Sequence, residues 1–334
     1  MKKIIICVLA VLAVVYGCTK KDAPKAKVKI TNPAEYTGTI GIAKIIAHPA
    51  LDAIELGVID ELKAQGYTNA VIDVQNANGE ISTAASIAGK FRSQKADVVL
   101  GIATPMALAL ASQTKETPVV FSAVTDPIDA GLRTSNGKED TNITGVSDMT
   151  PVKEQIELAT KLKNIKKLGF IYNAGESNSV VLFKLTKKVC DDMGIELISS
   201  TVTNTSEVKQ ATEIVAPKVD AIYASTDNVV YASMASLVPT AAKYSVPVIA
   251  SVPEDNQGSG ILAAYGIDYY NAGRETGKII IRILNGENPG DIPVKYMTEP
   301  NELGLYIDTN VAAAMGITIP ADILKQAADY ENRK

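Results

Sequence analysis

The sequence contains no tryptophan, a single histidine and three cysteines, and aromatic residues make up 5% of its 334 positions. One histidine and three cysteines leave little material for a metal cage or a catalytic triad, which disfavours most hydrolases and metalloenzymes. The sequence also lacks a P-loop, a Gly-rich dinucleotide fingerprint and a Gly-x-Ser-x-Gly elbow. We therefore expect a protein that is not an enzyme and that uses neither a cofactor nor a metal.

Neither sign of charge dominates the sequence. Lys and Arg number 33 and Asp and Glu number 37, so 33 − 37 gives a net charge of −4. A nucleic-acid surface normally needs a basic stripe, and this balance predicts no nucleic-acid partner. At 46% hydrophobic and 21% charged, the composition is that of a folded globular chain. The length is sufficient for about two domains of about 150 residues each.

Long apolar runs are absent apart from one near the N-terminus. Ile4–Tyr16 is 13 residues long and follows two lysines, whereas a membrane-spanning helix needs about 20 apolar residues. We therefore predict that residues 1–17 are a signal peptide. The sequence Val15-Tyr16-Gly17-Cys18 resembles a bacterial lipobox, which implies that Cys18 becomes the acylated first residue of the mature chain. A plain signal peptide that is cleaved elsewhere is the alternative.

The segment that follows predicts a tether. Residues 18–37 are polar and Lys-rich, without apolar periodicity, which is typical of a flexible linker. Cys7 lies in the predicted signal peptide and Cys18 would carry lipid, so Cys190 has no partner for a disulfide. We expect an exported protein that a lipid anchor holds at the extracytoplasmic side of a membrane, in the periplasm or at the cell surface.

From Thr39 onward, short apolar runs alternate with helical patterns, in two successive sets. The predicted strands are Ile40–Ile46, Ala70–Val74, Val98–Ile102, Val119–Ser122, Leu168–Tyr172, Glu196–Ser199, Ala221–Ala224 and Val248–Ala250. Their unbroken Val- and Ile-rich character is typical of strands that are covered on both faces. Helices between them, one of them at Val230–Tyr244, indicate βαβ units with parallel sheets.

This repetition predicts an α/β protein of two Rossmann-like lobes. The first lobe is expected to comprise residues 38–149 plus about 266–299, and the second residues 150–265 plus about 300–334. The segments after the second set would cross back between the lobes, so several hinge crossings join them. A cleft between two such lobes is suited to closing over a small ligand.

Short motifs after the predicted strands carry a family likeness. They are His48-Pro49-Ala50-Leu51-Asp52, Ala103-Thr104-Pro105, Ala123-Val124-Thr125-Asp126-Pro127, Asn142-Ile143-Thr144-Gly145-Val146-Ser147-Asp148, Tyr172-Asn173, Ser177-Asn178-Ser179, Asp220-Ala221-Ile222-Tyr223, Thr226-Asp227-Asn228 and Gly266-Ile267-Asp268-Tyr269-Tyr270. In this order they closely resemble the substrate-binding lipoproteins of ABC importers, in the family that includes tryptophan/tyrosine-type binding proteins. The resemblance implies a type I periplasmic-binding-protein fold and delivery of a solute to a membrane permease driven by a cytoplasmic ATPase. Residues 251–258 depart from the family pattern.

Ligands of open α/β sheets bind outside the carboxyl ends of the strands, where these motifs lie. Thr104 before Pro105 fits a helix N-cap, and we predict that Ala103 and Thr104 receive a substrate carboxylate. Asp227, in the other lobe, is the candidate partner for a substrate ammonium. An ordinary helix cap is the alternative for Thr104 and for Asp227.

Further polar and aromatic side chains complete the predicted ligand site. They are His48, Asn76, Thr125, Asp126, Asn173, Ser177, Asn178, Thr226, Asn228 and Tyr265. Asp126 also fits simple turn chemistry, and Tyr265 fits packing between the lobes. His48 either lines the cleft or packs beside the next proline. Glu176 either contacts the ligand or favours a helix N-terminus.

The sequence therefore predicts an extracytoplasmic solute receptor of an ABC importer that closes over an amino acid with an apolar or aromatic side chain. A ligand sensor that presents its closed form to a signalling receptor would have the same body. A surface enzyme on the same fold is the third reading, and the sequence offers it no catalytic constellation.

Overall fold

The computed structural model describes Ile30 and residues 32–253 and 256–332. The predicted signal peptide, the lipidation site Cys18 and the tether up to residue 29 lie outside the described residues. Within the described ranges, none of the helices has the length and apolar character that crossing a membrane requires.

The described chain alternates strands and helices almost throughout. The strands are β1 (Thr39–Lys44), β2 (Val71–Asn76), β3 (Val98–Ile102), β4 (Val119–Val124), β5 (Ile143–Ser147), β6 (Lys167–Asn173), β7 (Glu196–Val202), β8 (Ala221–Ala224), β9 (Val248–Ala250), β10 (Ala263–Ile267), β11 (Lys295–Tyr296) and β12 (Leu303–Ile307). The helices are α1 (Pro49–Ala64), α2 (Ile81–Ser93), α3 (Thr104–Gln113), α4 (Val152–Leu162), α5 (Ser177–Met193), α6 (Val208–Val215), α7 (Asn228–Tyr231), α8 (Met234–Ala242), α9 (Tyr269–Leu284), α10 (Thr309–Ala314) and α11 (Ala321–Glu331).

The strands form two six-stranded sheets, one in each lobe. The first sheet has the order β2-β1-β3-β4-β5-β11, and all of its neighbours are parallel. The second has the order β7-β6-β8-β9-β10-β12, in which β12 alone runs antiparallel to its neighbour. Every residue of β3, β4 and β8 is buried, because helices cover both faces of the sheets. The predicted fold class, two α/β lobes with parallel sheets, is confirmed.

In the described part of the chain, three segments cross between the lobes. They connect β5 to α4, β10 to α9, and β11 to β12. Gly266 and Ile267 pair with β12 in the second sheet, so the second crossing starts after Ile267, whereas the sequence placed that boundary at about residue 266. Because α9 packs along α1 and β4, it belongs to the first lobe.

Four of the twelve described strands, β5, β10, β11 and β12, and one helix break were not predicted. Glycines interrupt the apolar runs of β5 and β10, and each of them allows close backbone approach. A Cβ at Gly145 would lie 2.1 Å from the carbonyl oxygen of Phe121, and one at Gly266 would lie 2.0 Å from that of Ser251. The helix predicted at Val230–Tyr244 is divided into α7 and α8, because the Ser233 hydroxyl donates to the Val229 carbonyl and competes with the helical ladder.

Candidate functional site

A cavity lies between the lobes, where the carboxyl ends of both sheets face each other. Its free space is about 290 Å³ when the solvent at its mouth is counted with it. Its lining residues are His48, Ala50, Leu51, Ala123, Thr125, Asp148, Asn178, Thr226, Asn228, Tyr231, Val252 and Tyr269. Both lobes contribute polar groups, so a small ligand there would contact both.

The first lobe contributes one buried carboxylate, that of Asp148, to the lining of the cavity. Tyr269 Oη donates to Asp148 Oδ2 at 2.9 Å, and Thr125 Oγ1 donates to Oδ1 at 3.2 Å. Burial raises the pKa of Asp148 to about 6 against these hydrogen bonds. A ligand ammonium would offset that desolvation and favour the ionised form. Asp148 directly follows β5 and Tyr269 begins α9, so their bond also joins two of the crossings.

The wall from the second lobe presents polar atoms that lack partners. Among the described residues, nothing hydrogen-bonds to Asn178 Oδ1 or Thr226 Oγ1, although Asn178 is 4% exposed. A buried polar atom without a partner costs about 1–3 kcal/mol. A ligand that reaches these atoms would remove that cost, so this wall is completed by what binds there.

Aromatic rings from both lobes close one side of the cavity. His48 of the first lobe and Tyr231 of the second have ring centroids 5.7 Å apart. Burial lowers the pKa of His48 to about 4, so its ring is neutral near pH 7. Tyr231 Oη accepts from the backbone nitrogens of Ser251 at 2.8 Å and Val252 at 2.9 Å, which fixes its ring. The cavity therefore has a neutral aromatic wall that suits an apolar or aromatic side chain.

The N-terminus of α1 opens on the same cavity. His48 is its N-cap and Pro49 its first residue. The amides of Ala50 and Leu51 lie in the first turn, where no intrahelical carbonyl is available to them. Both residues line the cavity. Free amides at the positive end of a helix favour an anion, so this end is a candidate site for a ligand carboxylate.

Backbone strain marks the ends of two neighbouring strands of the first lobe. Ala103 after β3 has φ +77° and Ala123 in β4 has φ +53°, conformations that cost a non-glycine residue of order 1–3 kcal/mol. The pairing of β4 with β5 also shifts register between Phe121 and Val124. This irregularity turns the chain at Ala123 and brings Thr125 to the cavity.

Of the thirteen predicted ligand residues, five line the cavity: His48, Thr125, Asn178, Thr226 and Asn228. Within the described ranges, the other eight lie outside its lining: Asn76, Ala103, Thr104, Asp126, Asn173, Ser177, Asp227 and Tyr265. Several of these have structural partners instead. Asn76 accepts from the Asn78 amide, and Asp126 accepts from the amides of Ile128 and Asp129 in a turn.

The predicted cap at Thr104 is wrong. Ala103 is the N-cap of α3, with Thr104 and Pro105 as the first two helical residues. The reason is the positive φ of Ala103, which turns the chain one residue earlier than the Thr-Pro pattern indicates. Thr104 is buried, and among the described residues its hydroxyl has no hydrogen-bond partner.

Asp227 has the capping role that was the alternative for it. It is fully buried, and its carboxylate accepts from the Val230 amide at 2.9 Å and the Asn173 amide at 2.6 Å. Each carboxylate oxygen of Asp227 thus accepts one hydrogen bond from the backbone. Tyr265 lies in β10, where its carbonyl accepts from Gln155 Nε2 at 2.6 Å.

Seven lining residues were not among the predicted ones: Ala50, Leu51, Ala123, Asp148, Tyr231, Val252 and Tyr269. Asp148 could have been found, because it follows an apolar run in the way that the predicted residues follow theirs. Val252 belongs to the segment that departs from the family pattern. Among the described residues, no group of His, Cys, Asp or Glu side chains is placed to hold a metal ion.

Two α/β lobes around a buried, partly polar cavity define a protein that encloses a small ligand. A family model described as ABC transporter substrate binding protein matches residues 39–331, and the chain belongs to that family. Members are the extracytoplasmic solute-binding components of importers. Solved binding proteins at 13 to 16% identity share its fold, that of the type I periplasmic binding proteins.

Relatives of higher identity bear on the ligand. The chain is 36% identical over 324 residues to the tyrosine-binding protein of Clostridioides difficile strain R20291, covering 95% of this chain and 93% of the relative. It is 34% identical to an ABC domain from Streptococcus pneumonia solved in complex with L-Trp, with a TM-score of 0.83 and coverage of 87% and 99%.

The present structure superposes better on a liganded relative than on a ligand-free one. A substrate-binding protein with adhesive properties from Clostridium difficile, solved in its ligand-free, open form, is also 34% identical and covers 85% of this chain and 97% of its own, but its TM-score is 0.64. The two identities are equal and the coverage is similar, so the difference lies in the three-dimensional arrangement of the chains. By this measure the present structure resembles the L-Trp complex more than the open form.

Proposed function

We propose that this protein is the lipid-anchored receptor of an ABC importer for an aromatic L-amino acid, which it encloses between its lobes and delivers to a permease driven by a cytoplasmic ATPase. The observation that carries the proposal is the closed cavity with one buried carboxylate, a free helix N-terminus and an aromatic wall. A zwitterion with an apolar or aromatic side chain supplies a complement to each of these groups.

The first lobe holds both charges of the zwitterion in this proposal. Asp148 receives the ammonium, because its carboxylate is already oriented by Tyr269 and Thr125. The amides of Ala50 and Leu51 receive the carboxylate at the start of α1. A ligand can therefore dock on the first lobe before the second closes over it.

The second lobe then completes the enclosure. Tyr231 brings its ring to 5.7 Å from that of His48, and Asn178 and Thr226 bring polar atoms that have no partner among the described residues. These contacts exist when the lobes are closed, so the ligand favours the closed form by the interactions it makes there. The two relatives named for tyrosine and L-Trp support an aromatic ligand for this chain.

The anchor is part of the proposal. Cys18 with the residues around it resembles a lipobox, and a lipid there would keep the receptor beside its permease. Replacing Cys18 by Ala should move the protein from the membrane fraction to the soluble exported fraction. Retention of the variant in the membrane fraction would contradict lipid anchoring at Cys18.

A thermal-unfolding screen against the twenty amino acids tests the ligand class. A ligand at 100 times its Kd adds about 2.7 kcal/mol to the free energy of unfolding. We expect tyrosine or tryptophan to stabilise the protein most, and lysine and glutamate to have no effect. Since the chain contains no tryptophan, all indole fluorescence comes from the added ligand, and its change on titration with the protein reports binding. Stabilisation by sugars or nucleosides, with none from amino acids, would overturn the proposal.

A further inference from the structure

The carboxylate of Glu176 lies among the side-chain amides of three asparagines. Asn173 Nδ2 is 3.3 Å from Oε1, and Asn178 Nδ2 is 3.3 Å from Oε2. Asn228 Nδ2 donates to the same Oε2. Glu176 is buried at the N-cap of α5, yet within the described residues its side chain accepts from no backbone amide of that helix. The carboxylate thus orders polar side chains of the second lobe and does not cap the helix.

This arrangement fixes which end of each amide faces the carboxylate. Burial, together with the charge of Asp227, raises the pKa of Glu176 to about 7. Above that pH the ionised carboxylate only accepts hydrogen bonds, so the amide must turn its NH₂ group towards Glu176. Asn178 Nδ2 also lies 3.3 Å from Ser179 Oγ and 3.5 Å from the Thr226 carbonyl oxygen. Exchanging its nitrogen and oxygen would place an acceptor against the carboxylate and that carbonyl. Asn178 Oδ1 is therefore held away from Glu176.

With its NH₂ group turned to Glu176, Asn178 has its Oδ1 atom at the ligand cavity. Asn178 lines the cavity, and its Oδ1 is buried with no partner in the described parts of the chain. An amide oxygen is an acceptor, so it forms hydrogen bonds only with donor groups. In the proposed binding mode Asp148 takes the ammonium from the first lobe. With the ammonium held on the first lobe, the side chain of the ligand is the part that would supply a donor to Asn178 in the second lobe.

We propose, on the basis of the proposed function, that Glu176 is a positioning residue that holds Asn178 Oδ1 as a fixed acceptor, so that the site selects amino acids whose aromatic ring carries an O–H or N–H donor. Tyrosine and tryptophan carry such a donor and phenylalanine does not. Glu176 acts through the asparagine and does not touch the ligand. Selection comes from the buried acceptor, which a ring without a donor leaves unpaired.

Calorimetric titration of the wild-type protein with matched ligands tests this selection without any substitution. L-tyrosine is compared with L-phenylalanine, and L-tryptophan with its analogue methylated at the indole nitrogen. We expect the member of each pair that lacks the donor to bind at least about tenfold more weakly. Equal affinities within the pair would overturn the inference while leaving the amino-acid receptor intact. If none of the four bound, both the inference and the proposed function would fail.

Variants then test the role of Glu176. Asn178→Ala removes the acceptor, and we expect the tyrosine-to-phenylalanine affinity ratio to fall to near one. In Glu176→Gln one carboxylate oxygen becomes an NH₂ donor that must face an asparagine NH₂. We expect that ratio to fall at least about threefold, mainly through weaker tyrosine binding.

Glu213→Gln makes the same change of charge at an exposed position of the same lobe and should keep the wild-type ratio. A purely structural role for Glu176 would weaken both ligands equally. An unchanged ratio in Glu176→Gln would therefore overturn the positioning role. Because the readout is a ratio between two ligands on one variant, a partial loss of folded protein does not alter it.

Discussion

The two walls of the cleft differ in how their polar groups are satisfied. In the first lobe both oxygens of Asp148 already accept hydrogen bonds, from Tyr269 and Thr125. In the second lobe Asn178 Oδ1 and Thr226 Oγ1 have no partner among the described residues. The first wall is a finished charge site that needs only a counter-ion. The second wall has acceptor atoms that only a ligand would pair. We therefore expect the first lobe to recognise the charges of the ligand and the second lobe to recognise its side chain.

Removing the charge of the first wall should have the largest effect. In Asp148→Asn the ligand ammonium loses its buried counter-charge, which costs of order 3 kcal/mol and weakens L-tyrosine binding at least about 100-fold by calorimetry. Asp129→Asn makes the same change on the exposed surface of the first lobe and should bind as the wild type does. A loss below tenfold in Asp148→Asn would contradict an ammonium site at Asp148.

The same wall predicts how affinity depends on pH. Burial raises the pKa of Asp148 to about 6, and a bound ammonium favours the ionised form and lowers that pKa. Protonating Asp148 removes the counter-charge, so the affinity for L-tyrosine should fall as the pH drops below about 6, by up to about tenfold per pH unit. Asp148→Asn should lose this dependence. An affinity that is equal at pH 5 and pH 8 would show that Asp148 does not pair with the ligand.

The aromatic wall should affect stability more than affinity. Tyr231→Phe keeps the ring but leaves the amides of Ser251 and Val252 without their acceptor. We expect the free energy of unfolding to fall by about 1–3 kcal/mol and the affinity to change less than tenfold. Tyr244→Phe, at an exposed position, should alter stability by no more than about 0.5 kcal/mol. Equal denaturant midpoints for the two variants would contradict this role of the Tyr231 hydroxyl.

Asp227 should give the smallest effect on binding, although it is a buried carboxylate beside the cleft. Its partners are backbone amides of α7 and of Asn173. Asp227→Asn should therefore reduce the free energy of unfolding by about 1–2 kcal/mol and change ligand affinity less than tenfold. A loss of affinity as large as that of Asp148→Asn would instead place the ammonium at Asp227. Chemical denaturation and calorimetry on one preparation separate the two outcomes.

Sequence patterns were sufficient for the lobes and for the side of the sheets that carries the site. Alternating apolar runs and helices predicted both sheets, because strands buried on two faces have an unbroken Val- and Ile-rich signature. The strand β5 was missed because only two of its five residues, Ile143 and Val146, are Val or Ile. Asp148 was missed with it.

Individual roles within the site depended on geometry that local sequence does not encode. The φ of +77° at Ala103 moved the start of α3, and Thr-Pro alone gives no sign of it. Asp227 and Asp148 both follow buried strands of similar pattern. Only the structure shows that Asp227 accepts hydrogen bonds from backbone amides and that Asp148 faces the cavity.

The account depends most on a zwitterion held at Asp148 inside a closed cleft. Calorimetric titration of the purified protein with L-tyrosine, and then with the analogue that lacks the α-amino group, tests this directly. We predict saturable binding of one L-tyrosine per chain and at least about 100-fold weaker binding of the analogue, because Asp148 would be buried without its counter-charge. Equal affinity for the two molecules would contradict the account.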